Sequence, residues 1–168
     1  MSKFVHLHSH SHYSLLDGLV RIDQLVEKAK ATGMHAMALT DHGNLYGTIE
    51  FYKKCKKAGI KPIIGCELYV AANMYDKQRD VSGANYYHLT VLARNNEGYH
   101  NLIQLVTKAH LEGFYYKPRI DKNLLRKYSA GLIGLSGCLS GEISRSLLFG
   151  NYEKAMAIAW DHPIYIQF

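Results

Sequence analysis

The sequence has few cysteines and no long apolar run, and these absences exclude several classes of protein. Only three cysteines occur among 168 residues, Cys55, Cys66 and Cys138, and no two of them form a CxxC pair. An odd number of widely spaced cysteines argues against a disulfide framework or a zinc finger and is typical of the reducing cytoplasm. No apolar run approaches the roughly 20 residues of a membrane-spanning helix, and the N-terminus lacks the apolar segment of a signal peptide. We therefore expect a cytoplasmic protein with no membrane partner.

Nucleotide-binding glycine motifs are also missing. Neither GxGxxG nor a phosphate loop follows the first apolar run, which argues against an open nucleotide-binding sheet. The length suits one domain, 1–168, with a single core. Lys and Arg together number 20 against 14 Asp and Glu, a net charge of +6, and this excess weakly favours a polyanionic partner such as nucleic acid.

A run of alternating histidines stands near the start of the chain. His6, His8, His10 and His12 recur at every second residue, and in an extended strand this spacing places all four side chains on one face. Imidazoles that converge in a cavity are ligands for zinc, manganese or iron. The alternative is a polar strand or the remnant of an affinity tag. Tags are usually unbroken histidine runs, so we favour the metal site.

Apolar runs of strand length alternate with amphipathic segments along the chain. Predicted strands cover 4–9, 35–40, 61–70, 86–93, 131–136 and 164–168, and predicted helices cover 21–31, 48–58, 97–110, 122–128, 142–149 and 152–160. Residues 73–85 are predicted as an exposed loop, and 112–120 as irregular because Pro118 interrupts any helix. The alternation predicts an α/β fold with a parallel sheet covered by helices.

Side chains that can bind metals fall at or beyond the ends of these predicted strands. Besides the four histidines, they are Asp17, Asp41, His42, Glu67, His88 and Cys138. The carboxyl ends of strands converge at one mouth of a (β/α) barrel, so we favour a barrel over an open sheet. Imidazole, carboxylate and thiol together suit zinc, manganese or iron better than magnesium or calcium. Two or three such metals are the usual device for phosphoester hydrolysis.

Each of these residues also has an ordinary structural interpretation. His88 alone is most simply a hydrogen-bonded core histidine, Asp17 a turn residue and Cys138 a small residue between glycines. Asp41 and His42 could cap a helix. Glu67 differs, because a lone carboxylate in an apolar strand is costly to bury without a cation. The prediction of a site therefore depends on the coincidence of these residues at strand ends.

Several motifs resemble one known family. His8-x-His10 follows the first predicted strand, and Leu39-Thr-Asp-His-Gly-Asn44 follows the second; both resemble motifs of the PHP (polymerase and histidinol phosphatase) superfamily. The longer stretches 13–18, 51–54, 59–65, 112–121 and 135–142 resemble the N-terminal PHP domain of bacterial DNA polymerase III alpha subunits. The resemblance extends from about Phe4 to about Ala159.

The resemblance implies a fold, a ligand set and an activity. It implies a distorted seven-stranded (β/α) barrel and metal ligands at His8, His10, Asp17, His42, Glu67, His88 and Cys138. Of these, Asp17, His42 and Glu67 are our candidate catalytic residues. Asp41 is expected to orient an imidazole, and His6 and His12 to be outer partners or extra ligands. Family members with the full ligand set resemble metal-dependent 3′–5′ exonucleases acting on a DNA 3′ end, whereas members that lack ligands serve as structural modules.

The C-terminal part departs from the family pattern. The last ligand motif of the family, Asp-x-His, is not found, and Asp161-His162 is an adjacent pair that does not match it. We therefore expect a fragment whose last strand or strands are missing and which lacks the polymerase palm, fingers and thumb. Its expected partners are the rest of the alpha subunit and other replisome subunits.

A basic and aromatic stretch is a candidate DNA contact. Lys117 and Arg119 flank Pro118 and follow Tyr115, a combination that suits contacts to a DNA backbone and its bases. The alternative is a loop whose aromatic rings belong to the core. For the whole chain, the hypotheses are the exonuclease, a non-catalytic scaffold held by metal, and a small-molecule phosphatase of the histidinol-phosphate kind. Stretches 112–121 and 135–142 argue against the last.

Overall fold

A six-stranded sheet with helices packed on it forms the framework of the molecule. The computed structural model describes residues 4–77, 86–162 and 164. The strands are β1 Ala36–Leu39, β2 Lys61–Val70, β3 Tyr87–Ala93, β4 Phe114–Tyr115, β5 Lys117–Ile120 and β6 Leu132–Leu135. The helices are α1 Ile22–Ala31, α2 Thr48–Ala58, α3 Asn96–Leu111, α4 Lys122–Lys127, α5 Glu142–Leu148 and α6 Tyr152–Trp160. Among the described helices, none has the length and apolar character needed to cross a membrane.

Strand β2 is the centre of the sheet. It pairs in parallel with β1 along its first half and with β5 at its end, and antiparallel with β3. Strand β6 extends the sheet beyond β3, and β4 extends it beyond β5, both through antiparallel pairing. The sheet is therefore mixed, and the predicted parallel pairing holds only for β1 and β5 with β2. No helix is described between β2 and β3, and a strand that returns without a helical crossover pairs antiparallel.

The predicted closed barrel of seven strands is not confirmed. The described strands form an open sheet in the order β4-β5-β2-β3-β6, with β1 beside β2. The predicted closing strand at 164–168 lies outside the described residues except for Ile164, and 78–85 of the predicted loop also lie outside them. The stretch 112–120, predicted as irregular, contains β4 and β5.

The histidine-rich segment is not a strand, although it runs beside β1. The backbone oxygens of His6 and Ser9 accept hydrogen bonds of 2.8 Å from the backbone N–H groups of Ala38 and Thr40. Three residues of this segment therefore lie opposite two residues of the β1 side, which is the pattern of a β-bulge. The extra residue bends the segment, and its side chains no longer alternate between two faces as they would in a strand.

Two apolar clusters hold the helices against the sheet. Alternate residues of β2, Cys66, Leu68 and Val70, point into one cluster with α3 and α4. A second cluster joins α1, α2 and β1, where Ile22 and Phe51 are completely buried. Glu67 and Tyr69 alternate with these β2 residues and point to the opposite face of the sheet. That face carries the candidate site.

Candidate metal centre

The carboxylate of Glu67 lies at the centre of a ring of imidazoles. Its side chain is buried, with 1% of the residue exposed. One carboxylate oxygen, Oε2, lies 2.9 Å from Nε2 of both His8 and His10 and 3.3 Å from Nδ1 of His42. The other, Oε1, lies 2.8 Å from Nδ1 of His88. Glu67 and His88 share a face because β2 and β3 pair Tyr69 with His88.

Burial and hydrogen bonding act in opposite directions on the pKa values of this cluster. Burial raises the pKa of Glu67, but hydrogen bonds from His10, His8 and His88 outweigh it and hold the pKa well below its ordinary value. Burial lowers the pKa of His10, yet the hydrogen bond and charge of Glu67 leave it raised. The pKa of His42 is lowered, chiefly by burial. The hydrogen bonds from the surrounding imidazoles therefore favour the ionised form of the buried Glu67 carboxylate.

Asp17 extends the cluster towards solvent. Its Oδ2 lies 3.0 Å from Nε2 of His42, and its side chain is 58% exposed. The side chains form three groups of possible metal ligands, and within each group the ligand atoms lie within 4.8 Å of one another. The groups are His8, His10 and Glu67; His10, Asp17 and His42; and His42, Glu67 and His88. Adjacent groups share members, so the three form one continuous set from the buried strand to the surface.

Ser14 and Asp41 fix the orientation of His10. The Ser14 hydroxyl donates to Oδ1 of Asp41 at 2.8 Å, while it accepts from the backbone N–H of His42 at 3.0 Å. Nδ1 of His10 lies 3.1 Å from the same hydroxyl oxygen. Because a hydroxyl has one hydrogen and the carboxylate takes it, Nδ1 of His10 must be the donor. Nε2 of His10 is then the nitrogen available to a metal.

The predicted role of Asp41 is thus indirect. Its carboxylate, buried at 2% exposure, accepts from the backbone N–H of Ser11 and the hydroxyls of Ser11 and Ser14. None of the hydrogen bonds described for this carboxylate reaches an imidazole, and its link to His10 passes through Ser14. Sequence reasoning missed both serines, because nothing in their spacing distinguishes them from ordinary turn residues.

His6 and His12 lie apart from the cluster. His6 is exposed with its ring edge against Phe4, at a centroid distance of 4.8 Å. The His12 ring packs on Tyr13 at 4.2 Å, and neither histidine belongs to the three groups found among the described residues. The prediction that all four histidines share one face is wrong, since the bulge beside β1 breaks the alternation.

Cys138 lies beside the cluster, outside those three groups. It follows β6 and is half-buried. Burial raises the pKa of its thiol. Six of the seven predicted ligands therefore come together in the three groups, and Cys138 lies outside them.

Tyr69 forms an aromatic wall of the site that sequence reasoning did not find. Its ring centroid lies 5.2 Å from that of His88 and 5.9 Å from that of His42. Burial raises its pKa to about 12. The sequence could have predicted this position, because Tyr69 lies two residues after Glu67 on the same strand and residues i and i+2 of a strand share a face.

Comparison with known proteins identifies the fold family. The PHP domain profile matches residues 6–162. The chain belongs to the PHP domain family. It is 52% identical over 166 residues to the DNA polymerase III subunit alpha of Borreliella burgdorferi, covering 98% of this chain and 14% of that protein. The corresponding subunit of Thermus aquaticus is 49% identical over 159 residues, covering 92% of this chain and 13% of that protein.

This PHP domain spans about one seventh of the curated relatives that it matches, 13% to 14% of their length. Among solved structures, a protein of Bifidobacterium adolescentis assigned as a metal-dependent phosphoesterase matches with a TM-score of 0.52 and 13% identity. That match covers 96% of this chain and 84% of the other, and it establishes similarity of fold.

The residues of this PHP domain fit a divalent metal centre. Imidazole nitrogens and carboxylate oxygens lie close enough to share an ion, and the mixture suits zinc, manganese or iron. Nδ1 of His42 is buried, and its 3.3 Å contact with Oε2 of Glu67 is not aligned as a hydrogen bond, so it has no hydrogen-bond partner among the described residues. A buried polar atom in that state is costly, and coordination of a metal would satisfy it.

The predicted DNA contacts divide into one exposed and two inward-facing residues. Arg119 is 1% exposed and donates to the backbone oxygens of Met74 at 3.0 Å and Gly113 at 3.2 Å. Its guanidinium lies 5.1 Å from the centre of the half-buried Tyr115 ring. Arg119 is therefore an interior residue, contrary to the predicted contact. Lys117 is exposed, with Nζ 5.6 Å from the Tyr69 ring centre.

Proposed function

We propose that this PHP domain hydrolyses phosphodiester bonds at a DNA 3′ end, using two or three divalent metal ions, as part of a DNA polymerase III alpha subunit. The observation that carries the proposal is the buried Glu67 carboxylate, shared by four imidazoles and continued by Asp17 at the surface. A metal-free protein gains little from such an arrangement, because burying a carboxylate among imidazoles costs desolvation at every group.

The residues divide into two overlapping groups. His8, His10 and His88 surround Glu67 and would hold metal at its carboxylate, and we include Cys138 as a further ligand. His42 and the exposed Asp17 would hold the ion that meets the substrate. When bound, such ions lower the pKa of a water and neutralise charge on the phosphate. Tyr69 forms one side of the site, next to the His42 and His88 rings.

The relatives support the choice of substrate. Those reported above are DNA polymerase III alpha subunits at about 50% identity, and the Bifidobacterium protein assigned as a metal-dependent phosphoesterase shares the fold. The partners that we propose are therefore a DNA 3′ end, the remainder of an alpha subunit and other replisome subunits.

The test is release of nucleotides from a primer with a mismatched 3′ end in the presence of manganese. We expect the wild-type chain to shorten the primer and the double variant His8→Ala, His10→Ala to lose activity. The matched control is His100→Ala on the exposed side of α3, which should leave the rate unchanged. Equal shortening by the double variant would refute the metal-dependent nuclease. Faster turnover of a small phosphomonoester than of DNA would favour the small-molecule phosphatase instead.

A further inference from the structure

The turn between β4 and β5 has an unusual backbone. Tyr115 pairs with Lys117, so Tyr116 alone connects the two strands. Tyr116 has a φ of +58°, a left-handed conformation that a bulky side chain adopts only at some cost. The residue is 76% exposed. Strain of this kind persists where the surrounding structure imposes it, often at sites that hold a ligand.

A second strained residue also borders the metal centre. Leu16 has a φ of +67°, and among the described residues only Leu16 and Tyr116 combine a side chain with a positive φ. Leu16 directly precedes Asp17, whose carboxylate contacts His42. Leu16 is thus next to a candidate ligand, and Tyr116 is next to Lys117, whose Nζ approaches the Tyr69 ring.

The turn is held firmly against the metal centre. Lys117 Nζ lies 5.6 Å from the centre of the Tyr69 ring, and that ring stacks on His42. Pro118 packs on Gly43 so closely that a Cβ there would come within 2.7 Å of the proline Cγ. Gly43 directly follows His42, so the base of the turn and the ligand loop are in contact.

The charges at this edge suit a phosphate. Arg119 faces the interior, and Lys117 forms no ion pair with any described carboxylate. A lysine ammonium is a mobile point charge that binds phosphate oxygens, and an exposed aromatic ring offers a surface on which any base can stack.

We infer that Tyr116 and Lys117 hold the single-stranded end of the DNA as it enters the metal centre. Tyr116 stacks on an unpaired base, and Lys117 contacts a backbone phosphate one step away. The inference rests on the proposed function for its substrate class, and it adds the residues that position that substrate.

The experiment measures binding, so that it does not depend on catalysis. A fluorescent oligothymidylate with phosphorothioate linkages at its 3′ end is titrated with the full chain in manganese, and anisotropy is followed at several salt concentrations. We expect Tyr116→Gly to weaken binding about tenfold, the effect of losing one stacked base, while Tyr116→Phe keeps wild-type affinity. Lys117→Gln should reduce the slope of log affinity against log salt by about 0.7, the value for one lost phosphate contact on a single strand.

The controls test whether loss of any exposed tyrosine or lysine weakens binding, or only loss of these two. Tyr152→Ala removes another exposed ring, on α6, and Lys57→Gln removes another exposed lysine, on α2; both should bind as the wild type does. The inference is overturned if the wild-type chain does not bind the oligonucleotide, if Tyr116→Gly and Lys117→Gln bind normally, or if the controls lose as much. Normal binding by the two variants, or equal losses in the controls, does not bear on whether primer ends are cleaved; failure of the wild-type chain to bind would count against both proposals. Loss of cleavage with the binding differences intact would instead refute the proposed function alone.

Discussion

At the scale of single residues, the hydroxyl of Ser14 has an influence out of proportion to its size. It links the buried Asp41 carboxylate to Nδ1 of His10 and so determines which nitrogen of that ring faces the site. Groups that orient a ligand in this way typically contribute a factor of about 10 to 100 in metal affinity.

We therefore predict that Ser14→Ala lowers the affinity for manganese or zinc about 10- to 100-fold, since His10 loses the acceptor that fixes its tautomer. Competition with a chromophoric chelator would measure the change. Ser144→Ala on α5 is the matched control, because no described hydrogen bond involves its hydroxyl. Equal metal affinity of Ser14→Ala and the wild type would show that His10 is oriented by packing alone.

The sequence pointed to the candidate ligands but not to the residues that orient them, such as Ser14. Glu67 stood out as a charge inside an apolar strand, and the histidine alternation directed attention to His8 and His10. The same alternation misled for His6 and His12, since a bulge in backbone pairing leaves no mark on the side-chain pattern. Arg119 was predicted as a DNA contact but lies inside the fold. From the sequence alone, an arginine that donates to buried backbone oxygens cannot be distinguished from one that binds phosphate.

At the scale of secondary-structure elements, apolar periodicity located the helices well but could not give strand direction. All six predicted helices occur with bounds within two residues of those observed. The direction of β3 depends on whether the chain returns through a helix, and the hairpin of β4 and β5 depends on Tyr116 adopting a positive φ. Neither property follows from hydrophobic pattern.

Helix α3 packs on the sheet through a contact between two glycines. A Cβ at Gly98 would collide with the backbone oxygen of Gly131, the residue before β6. Alanine is ordinarily better than glycine in a helix by about 1 kcal/mol. At Gly98 we predict that alanine destabilises the protein, because its Cβ would force α3 away from Gly131.

Gly98→Ala should lower the free energy of unfolding by about 1–3 kcal/mol, the usual cost of overpacking, measured by urea denaturation. Gly137→Ala is the control, since no atom lies within 4 Å of the position of its added Cβ. An unchanged or increased stability of Gly98→Ala would mean that α3 is not held at this distance.

At the scale of the whole molecule, the candidate centre joins segments that are far apart in the chain. Its candidate ligands come from the segment before α1, the loop after β1, and strands β2 and β3. Metal that binds only the assembled set stabilises the folded state by mass action, by about 2.7 kcal/mol when its concentration is 100 times its dissociation constant.

For a chain of this size, we predict that manganese or zinc at that concentration raises the melting temperature by about 5–10 °C. Removal of the metal with a chelator should reverse the increase, as differential scanning calorimetry would record. The His8→Ala, His10→Ala variant should show little response. An increase of the same size in the variant would place the stabilising ion elsewhere.

Strand β2 contributes Glu67 to the site and Leu68 to the core from neighbouring positions. A shift of one residue in its pairing would exchange the two faces, burying the carboxylate among leucines and presenting an aliphatic side chain to the imidazoles. A chain refolded with that error would keep most of its helices, yet it would have lost the centre of its ligand set. If the centre binds metal as proposed, metal content per chain would count the correctly registered molecules. It would then distinguish native protein from compact misfolded forms that circular dichroism would score as folded.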